Sequence, residues 1–199
     1  HPMVMSYADA VLGHREVGKR VAVIGAGGIG FDVTEFLTVD DSPTLNLKEW
    51  EQEWGVTDDL DTPGFLTRPR PTPAVREVYM VQRKTGKQGK GLGKTTGWVH
   101  RATVKMKGVE QISGAVYDRI DDAGLHITVH DKEGNETGKR ILEVDNVVVC
   151  AGQESVRDLV DPLTEAGVIT HVIGGADLAS ELDAKRAIRQ GTEVAAGLP

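Results

Sequence analysis

The chain has a single cysteine, no long hydrophobic run and no excess of positive charge. Cys150 alone cannot form a disulfide framework, and no Cys/His cluster has the spacing of ligands for zinc or an iron–sulfur cluster. The 23 Lys and Arg residues against 30 Asp and Glu give a net charge of -7, which argues against general binding to nucleic acid or an anionic membrane. No apolar stretch approaches the roughly 20 residues that span a bilayer. These absences predict a protein of the reducing cytoplasm.

The length and the first residues predict a piece of a longer protein. At 199 residues and 39% hydrophobic content, the chain can bury one core, or one core and an appendage that leans on another segment. It begins with His1 instead of Met, and residues 1–5 lack the organisation of a signal peptide. We therefore expect a fragment.

A strand and a helix flank a glycine run near the N-terminus. The apolar segment 20–24 predicts a buried parallel strand, and the run Gly-Ala-Gly-Gly-Ile-Gly follows it directly at residues 25–30. Apolar residues then recur at helical spacing from Ile29 to Leu37. The pattern predicts a βα unit joined by a glycine turn.

This turn matches the dinucleotide fingerprint in both spacing and context. Gly25 allows the tight turn, Gly27 lets a pyrophosphate approach the backbone, and Gly30 lets helix and strand pack closely. We include Gly28, in the same turn, among the candidate cofactor-binding residues. The free amides at the helix start attract the anion. The alternative is a glycine turn that binds no ligand.

The second predicted strand, at residues 77–81, leads into Gln82, Arg83 and Lys84. In NAD-binding sites an acidic residue near this point binds the ribose 2′-hydroxyl. Arg83 can instead clamp a 2′-phosphate and Lys84 adds charge, so the sequence favours NADPH over NADH. The alternative is that both are solvated surface residues.

A loop rich in glycine and lysine follows at residues 86–97. Its Gly93-Lys94-Thr95 superficially resembles a P-loop, but Gln88 stands where the P-loop needs its first glycine, and no apolar strand precedes it directly. We therefore reject triphosphate hydrolysis. We assign the loop to phosphate contacts of the same NADPH, with Lys87, Lys94, Thr95 and Thr96 as candidates.

The remaining pattern predicts an α/β fold in two domains. The NADPH-binding domain is Rossmann-like, spans 1–151 with an insertion at about 38–74, and has a parallel sheet with a three-stranded antiparallel meander on one face. Residues 152–199 form a second, incomplete module. Further predicted strands lie at 109–112, 115–120, 125–130, 139–144, 146–150 and 170–173. Further predicted helices lie at 47–54, 98–107, 159–166 and 183–196.

Several blocks resemble one enzyme family over nearly the whole chain. They are VIGAGGIGFD at 23–32, QRK at 82–84, GLGKTTGWVHR at 91–101, VDNVVVCAGQE at 144–154, IGGAD at 173–177 and ELDAKRAI at 181–188. Together they resemble the bacterial NADPH-dependent 2,4-dienoyl-CoA reductases, multidomain relatives of the NADH:flavin oxidoreductases and old yellow enzyme. The block at 91–101 is much more specific than the glycine fingerprint.

The resemblance implies an architecture in which this chain is one part. Such enzymes have an N-terminal barrel that holds FMN and reduces the thioester, a cysteine cluster that holds 4Fe-4S, and a FAD domain interrupted by an NADPH domain. This chain would be the NADPH domain and the C-terminal part of the FAD domain. Its partners would be the missing barrel and the missing FAD half. The implied catalytic acids lie outside this sequence, so no catalytic residue is assigned, and the fragment alone is expected to be inactive on dienoyl-CoA.

The resemblance also implies flavin contacts near the C-terminus. Asp177 would bind the ribityl chain of FAD, and Lys185 and Arg186 would lie near flavin or pyrophosphate. For Asp177 the alternative is a helix N-cap. Trp98 and His100 either contact nicotinamide or flavin, or Trp98 belongs to the core.

Three further residues are expected to have structural or surface positions. Cys150 is expected to be a buried strand residue and not a redox thiol, because no second cysteine is present. His126 and His130 are expected at the surface of a meander strand.

Other functions stay open at this stage. The chain could be the C-terminal module of a related enoate reductase or amine dehydrogenase, or a non-redox module that holds ADP structurally. The pair Trp50 and Trp54 is the one hint of a partner-docking domain. Residues 159–199, without partner strands, are expected to expose apolar surface and to pair between chains.

Overall fold

A five-stranded parallel sheet organises the first of the two units of the chain, His1–Ala151 and Gly152–Pro199. The structure is a computed structural model that describes residues 1–180 and 184–198. Its strands are β1 (Val4–Ser6), β2 (Arg20–Ile24), β3 (Glu77–Gln82), β4 (Glu110–Ser113), β5 (Ala115–Asp121), β6 (Gly124–His130), β7 (Glu136–Leu142) and β8 (Asn146–Val149). The parallel sheet has the order β1-β8-β2-β3-β4, and β5-β6-β7 form an antiparallel meander. The predicted α/β class is confirmed.

Six α-helices accompany the strands in the described part of the chain. They are α1 (Tyr7–Val11), α2 (Gly28–Leu37), α3 (Leu47–Trp54), α4 (Gly97–Met106), α5 (Val160–Glu165) and α6 (Ala184–Ala196), with short 3-10 turns at Pro43–Leu45 and Pro63–Phe65. Among the described residues, no helix has the length and apolar character needed to cross a membrane.

Side chains alternate between the two faces of the parallel sheet. On one face Val21, Val23 and Met80 pack with Phe31 of α2 and Val104 of α4. On the other face a second cluster joins the sheet to the meander; it contains Ala22, Ile24, Val81, Leu125, Ile127 and Leu142. The period of two along each strand therefore assigns successive residues to the helical layer and the meander layer. The predicted meander on one face is confirmed.

A buried ion pair connects the segment between α2 and β3 to the rest of the first unit. Its helix α3 has the predicted bounds and begins at Asn46, whose side chain accepts a hydrogen bond from the Glu49 amide. The Nζ of Lys107 lies 2.5 Å from Oε1 of Glu53, and both side chains are almost fully buried. Lys107 also donates to the Thr72 hydroxyl at 2.8 Å. Although it has little regular structure, this segment is anchored at α3 and again at Thr72.

Several details of the first unit differ from the sequence prediction, and one of them is helix α1, which was not predicted. The strand β1 was not predicted, because its three residues carry too short a pattern; it pairs in parallel with β8 at the edge of the sheet. The strand β7 begins at Glu136, three residues before the predicted start, because pairing with β6 extends through polar residues to His130. Backbone pairing, and not the apolar pattern, sets this boundary.

The second unit contains α5 and α6 but no strand among its described residues. The predicted strand at 170–173 is wrong: these residues have no strand partner, and a single strand cannot satisfy its backbone groups by itself. Helix α6 begins at Ala184, and the predicted first residue, Asp183, lies outside the described residues. Large apolar side chains of residues 159–199 are exposed, as expected, including Leu159 at 72% and Ile169 at 85%. Pairing between chains stays a prediction.

Candidate functional site

The turn between β2 and α2 requires glycine at its first position. Gly25 has φ +111°, in the left-handed region that favours glycine. Its amide donates to the Val81 carbonyl at 2.9 Å, so the turn begins against the neighbouring strand β3. A Cβ on Gly25 would lie 3.1 Å from the Cys150 carbonyl oxygen. Backbone geometry and the close approach of Cys150 therefore both select this glycine.

The other glycines of the turn have different surroundings. A Cβ on Gly30 would lie 1.9 Å from the Gly25 carbonyl oxygen, so this glycine permits the close packing of α2 on the turn. A Cβ on Gly27 or Gly28 would meet no heavy atom within 4 Å. The chain itself therefore has no packing reason for glycine at these two positions. The space above them is what a pyrophosphate needs to approach the backbone.

The start of α2 is electrostatically suited to an anion. Gly27 is the N-cap and offers no side-chain cap, and the first turn has no acidic residue. The first amides of a helix have no intrahelical acceptor, and the helix dipole places partial positive charge there. Gly27 and Gly28 thus leave the amides of this turn accessible to a negative ligand.

Arg83 and Lys84 follow β3, the strand adjacent to β2 in the sheet. Both side chains are exposed, while the Lys84 carbonyl accepts from the Gly114 amide at 3.1 Å and from Gln82 Nε2 at 2.9 Å. Arg83 also lies near Tyr117 of β5: burial raises the pKa of the Tyr117 hydroxyl, and the positive charge of Arg83 partly offsets that rise. A fixed backbone therefore presents two cations to solvent at the carboxyl edge of the sheet.

Gln88 anchors the loop rich in glycine and lysine that lies between β3 and α4, and the sequence prediction missed this role. Its side chain is 1% exposed and its Nε2 donates to the carbonyls of Met80 at 2.9 Å and Ile112 at 3.0 Å, which bridges β3 and β4. Arg101 donates to the Gly89 carbonyl at 3.0 Å. A lone glutamine among glycines and lysines is a weak signal, because nothing local shows that it turns inward. The loop candidates Lys87, Lys94, Thr95 and Thr96 are all exposed.

His100 and Trp98 lie on α4 and contact different elements. His100 Nδ1 is 2.8 Å from Glu35 Oε1 on α2, and burial raises the pKa of the Glu35 carboxyl, a rise that His100 opposes. Trp98 is 57% exposed and packs edge to face against Trp54 of α3, with centroids 6.0 Å apart. Trp98 is therefore not part of the buried core.

Two histidines of the meander are less exposed than expected. The His126 side chain is 14% exposed, and its Nε2 lies 2.8 Å from Oδ1 of Asp121. His130 is half-buried. Both side chains are thus partly buried instead of fully exposed at the surface of the meander strand.

Cys150 lies directly after β8 and is buried, at 8% exposure. Burial raises the pKa of its thiol to about 12. We expect its thiolate population at pH 8, and hence its rate of reaction with a disulfide reagent, to be about a thousandfold below that of an exposed thiol. The check is thiol titration of the native protein and of the protein in urea. Equal rates in the two conditions would contradict a buried, structural thiol.

In the second unit, Asp177 closes a turn that begins at Gly174. Its carboxylate accepts from Gln190 Nε2 at 2.8 Å, and Arg157 Nε donates to the Ala176 carbonyl at 2.6 Å. Residues 178–180 are not helical and α6 begins at Ala184, so the N-cap alternative for Asp177 is wrong. The Asp177 side chain is exposed, and the described residues contact its carboxylate through Oδ2.

Lys185 and Arg186 lie in the first turn of α6. Lys185 is exposed, whereas Arg186 is half-buried and donates through Nη2 to the Leu178 carbonyl. Arg186 therefore has a structural contact in the chain, and Lys185 is the more accessible of the two cations.

Comparison with known proteins agrees with this architecture. A family model described as pyridine nucleotide-disulphide oxidoreductase matches residues 4–183. A 2-naphthoyl-CoA reductase in complex with 2-naphthoyl-CoA is similar in structure over 98% of this chain and 24% of its own, with TM-score 0.58 and 19% identity. A 6-hydroxypseudooxynicotine amine oxidase from Pseudomonas geniculata N1 is similar over 83% of this chain and 19% of its own, with TM-score 0.54 and 15% identity. The chain thus spans about a quarter or less of these neighbours.

Proposed function

Because the chain belongs to the pyridine nucleotide-disulphide oxidoreductase family, we propose that it is the electron-input module of a cytoplasmic flavoprotein reductase. In this proposal the first unit binds NADPH, and the second unit is the C-terminal part of a FAD-binding domain. The full-length enzyme reduces 2,4-dienoyl-CoA thioesters in the β-oxidation of unsaturated fatty acids. The observation that carries the proposal is the open, uncapped glycine start of α2 beside strand β3, which Arg83 and Lys84 directly follow.

The family binds FAD and a pyridine nucleotide, and the residues of the turn fit the pyrophosphate of such a ligand. Gly27 and Gly28 leave room at the backbone, and no acidic residue of the first turn opposes the anion. In this role the amides of α2 would hold the phosphates, while Gly25 and Gly30 keep the turn close to the sheet.

The choice of NADPH over NADH rests on Arg83 and Lys84. A guanidinium can donate two parallel hydrogen bonds to a phosphate, and an ammonium adds a point charge. Both side chains are exposed and lack an acidic neighbour in sequence, so they are available to a 2′-phosphate. An ADP-binding structural module would have no use for this pair, which speaks against that alternative.

The chain's chemical task in this proposal is to place two cofactors. When bound, the nicotinamide supplies a hydride and the flavin accepts it. In this role the first unit would hold the nucleotide by its phosphates, and Asp177 of the second unit would accept a hydrogen bond from a ribityl hydroxyl. His100 is engaged by Glu35, so we assign it no proton transfer.

FMN and 4Fe-4S belong to the proposal only through the rest of the enzyme. The cluster needs several thiolates, and the chain has only the buried Cys150, so its residues do not fit an iron–sulfur cluster. The partners of this chain would be the barrel that holds FMN and the other half of the FAD-binding domain. No step through FMN or the cluster is assigned to residues described here.

The related-enzyme alternatives differ from the proposal in the substrate of the full-length enzyme and, for an amine, in whether that substrate is oxidised or reduced. The naphthoyl-CoA reductase acts in a complex with an aryl-CoA thioester, and the other neighbour is an amine oxidase. Because both neighbours are less than 25% identical to this chain, their similarity shows the fold alone. The preference for dienoyl-CoA over an enoate or an amine rests on the sequence block at 91–101.

Replacing Arg83 by Ala is expected to abolish the preference for NADPH. One charge-assisted, bidentate contact contributes about 1.5–3 kcal/mol, so NADPH affinity should fall about tenfold to a hundredfold while NADH affinity stays the same. The measurement is calorimetric titration with NADPH, NADH and ADP at fixed salt. Arg68→Ala, an exposed arginine in the segment between α2 and β3, is the control for the loss of one charge.

Two outcomes would count against this reading. Equal affinity of the unmodified protein for NADPH and NADH would remove the 2′-phosphate site. Equal losses in Arg83→Ala and Arg68→Ala would show a general charge effect instead of a specific contact.

A further inference from the structure

One side chain joins both ends of the turn at 174–177 to helix α6. Gln190 Oε1 accepts from the Gly174 amide at 2.7 Å, and Gln190 Nε2 donates to Asp177 Oδ2 at 2.8 Å. The Gly174 amide can only donate and the Asp177 carboxylate accepts. The two partners therefore fix which end of the Gln190 side chain is the oxygen and which is the nitrogen. The side chain is half-buried, so these bonds are partly shielded from water.

The backbone of the same turn has separate supports. Arg157 donates to the carbonyls of Ala176 and Asp177, and the Ala179 amide donates to the Ser155 hydroxyl at 2.9 Å. These bonds hold the path of the chain but do not reach the Asp177 carboxylate. Gln190 therefore contributes something the other contacts do not, which is the orientation of that carboxylate.

We propose that Gln190 is a positioning residue that orients the Asp177 carboxylate toward a hydroxyl of the ligand. The inference rests on the proposed function, in which that ligand is the ribityl chain of FAD. Among the described residues, the side-chain contact of this carboxylate is made through Oδ2, which leaves Oδ1 to accept a hydrogen bond from the ligand. An ionised carboxylate accepts hydrogen bonds and repels phosphate, so a hydroxyl of the ribityl chain suits it and the pyrophosphate does not.

The test uses the full-length enzyme and two variants of Gln190. Gln190→Glu keeps the size of the side chain but replaces the donor by a charge that repels Asp177. Gln190→Met removes both hydrogen bonds and keeps the stem. Arg189→Gln is the control, since it changes the net charge by the same amount as Gln190→Glu at the next, exposed position of α6.

The readouts are FAD affinity, by flavin fluorescence on reconstituting the apoprotein, and NADPH affinity, by calorimetry. We expect FAD affinity to fall about tenfold or more in both Gln190 variants, with NADPH affinity unchanged. The exchanged pair Asp177→Asn with Gln190→Glu restores a hydrogen bond of reversed direction, so it should recover part of the FAD affinity lost in Gln190→Glu. If the exchanged pair recovers none of the FAD affinity, the positioning role of Gln190 is overturned.

The outcomes separate this inference from the proposed function. If Asp177→Asn leaves FAD affinity unchanged, the flavin contact of Asp177 is overturned, and the role of Gln190 with it. If Asp177→Asn weakens FAD binding but neither Gln190 variant does, the contact stands and the positioning role is overturned. Should Gln190→Glu fail to fold, Gln190→Met and the exchanged pair decide.

Discussion

Replacing Lys107 by Met is expected to lower the free energy of unfolding of the first unit by about 3–5 kcal/mol. The Lys107 side chain is 1% exposed and its Nζ lies 2.5 Å from Oε1 of Glu53, which is itself 5% exposed. Loss of the ammonium leaves the Glu53 carboxylate in the interior without its partner. The free-energy cost of an unpaired buried charge is much larger than the net stabilisation that the intact ion pair contributes.

The three tryptophans provide the measurement. Trp50, Trp54 and Trp98 lie on α3 and α4, the two helices next to the ion pair, so tryptophan fluorescence in urea follows this region. Lys105→Met, an exposed lysine at the end of the same helix, is the matched control and should change stability little. The double replacement Glu53→Leu with Lys107→Met should recover much of the loss, because no charge stays buried. Equal stability of the two single lysine variants would show that the pair contributes nothing.

Replacement by alanine is expected to lower stability at one glycine of the α2 turn and NADPH affinity at another. In Gly30→Ala the new Cβ meets the Gly25 carbonyl oxygen at 1.9 Å, so the turn or the helix must move, at a cost of about 1–3 kcal/mol or more in stability. In Gly27→Ala the Cβ enters open space at an ordinary φ of -87°, so stability stays nearly unchanged. The same methyl group would stand where the pyrophosphate must approach, and NADPH affinity should fall about tenfold to a hundredfold.

Stability is measured by denaturation in urea and affinity by calorimetry on the same preparations. Gly138→Ala on β7 is the control, since its Cβ also enters open space without a positive φ. It should change neither property. If Gly27→Ala binds NADPH as well as the unmodified protein, the nucleotide does not lie over this turn, and the proposed function loses its main support.

Local patterns in the sequence determined much of the first unit. The apolar run 20–24, the glycine spacing and the helical period after Ile29 each depend on neighbouring residues, and β2 and α2 follow from them. The separate structural needs of Gly25 and Gly30 were also readable, because the fingerprint assigns one to the turn and one to packing. Arg83 and Lys84 were found as candidates because strand β3 ends just before them.

Contacts between distant residues decided the rest. The burial of Lys107 depends on Glu53, 54 positions away, and Gln88 turns inward only because carbonyls of β3 and β4 lie there to accept its amide. Strand β1 exists because β8 offers an edge, whereas residues 170–173, of which only Val172 and Ile173 are apolar, have no such edge and form no strand. The sequence by itself determined the helices and strands whose apolar residues recur with a regular period, because such a period depends only on neighbouring residues. Only the tertiary structure decided which polar side chains are buried and paired, because that depends on what the fold brings to them.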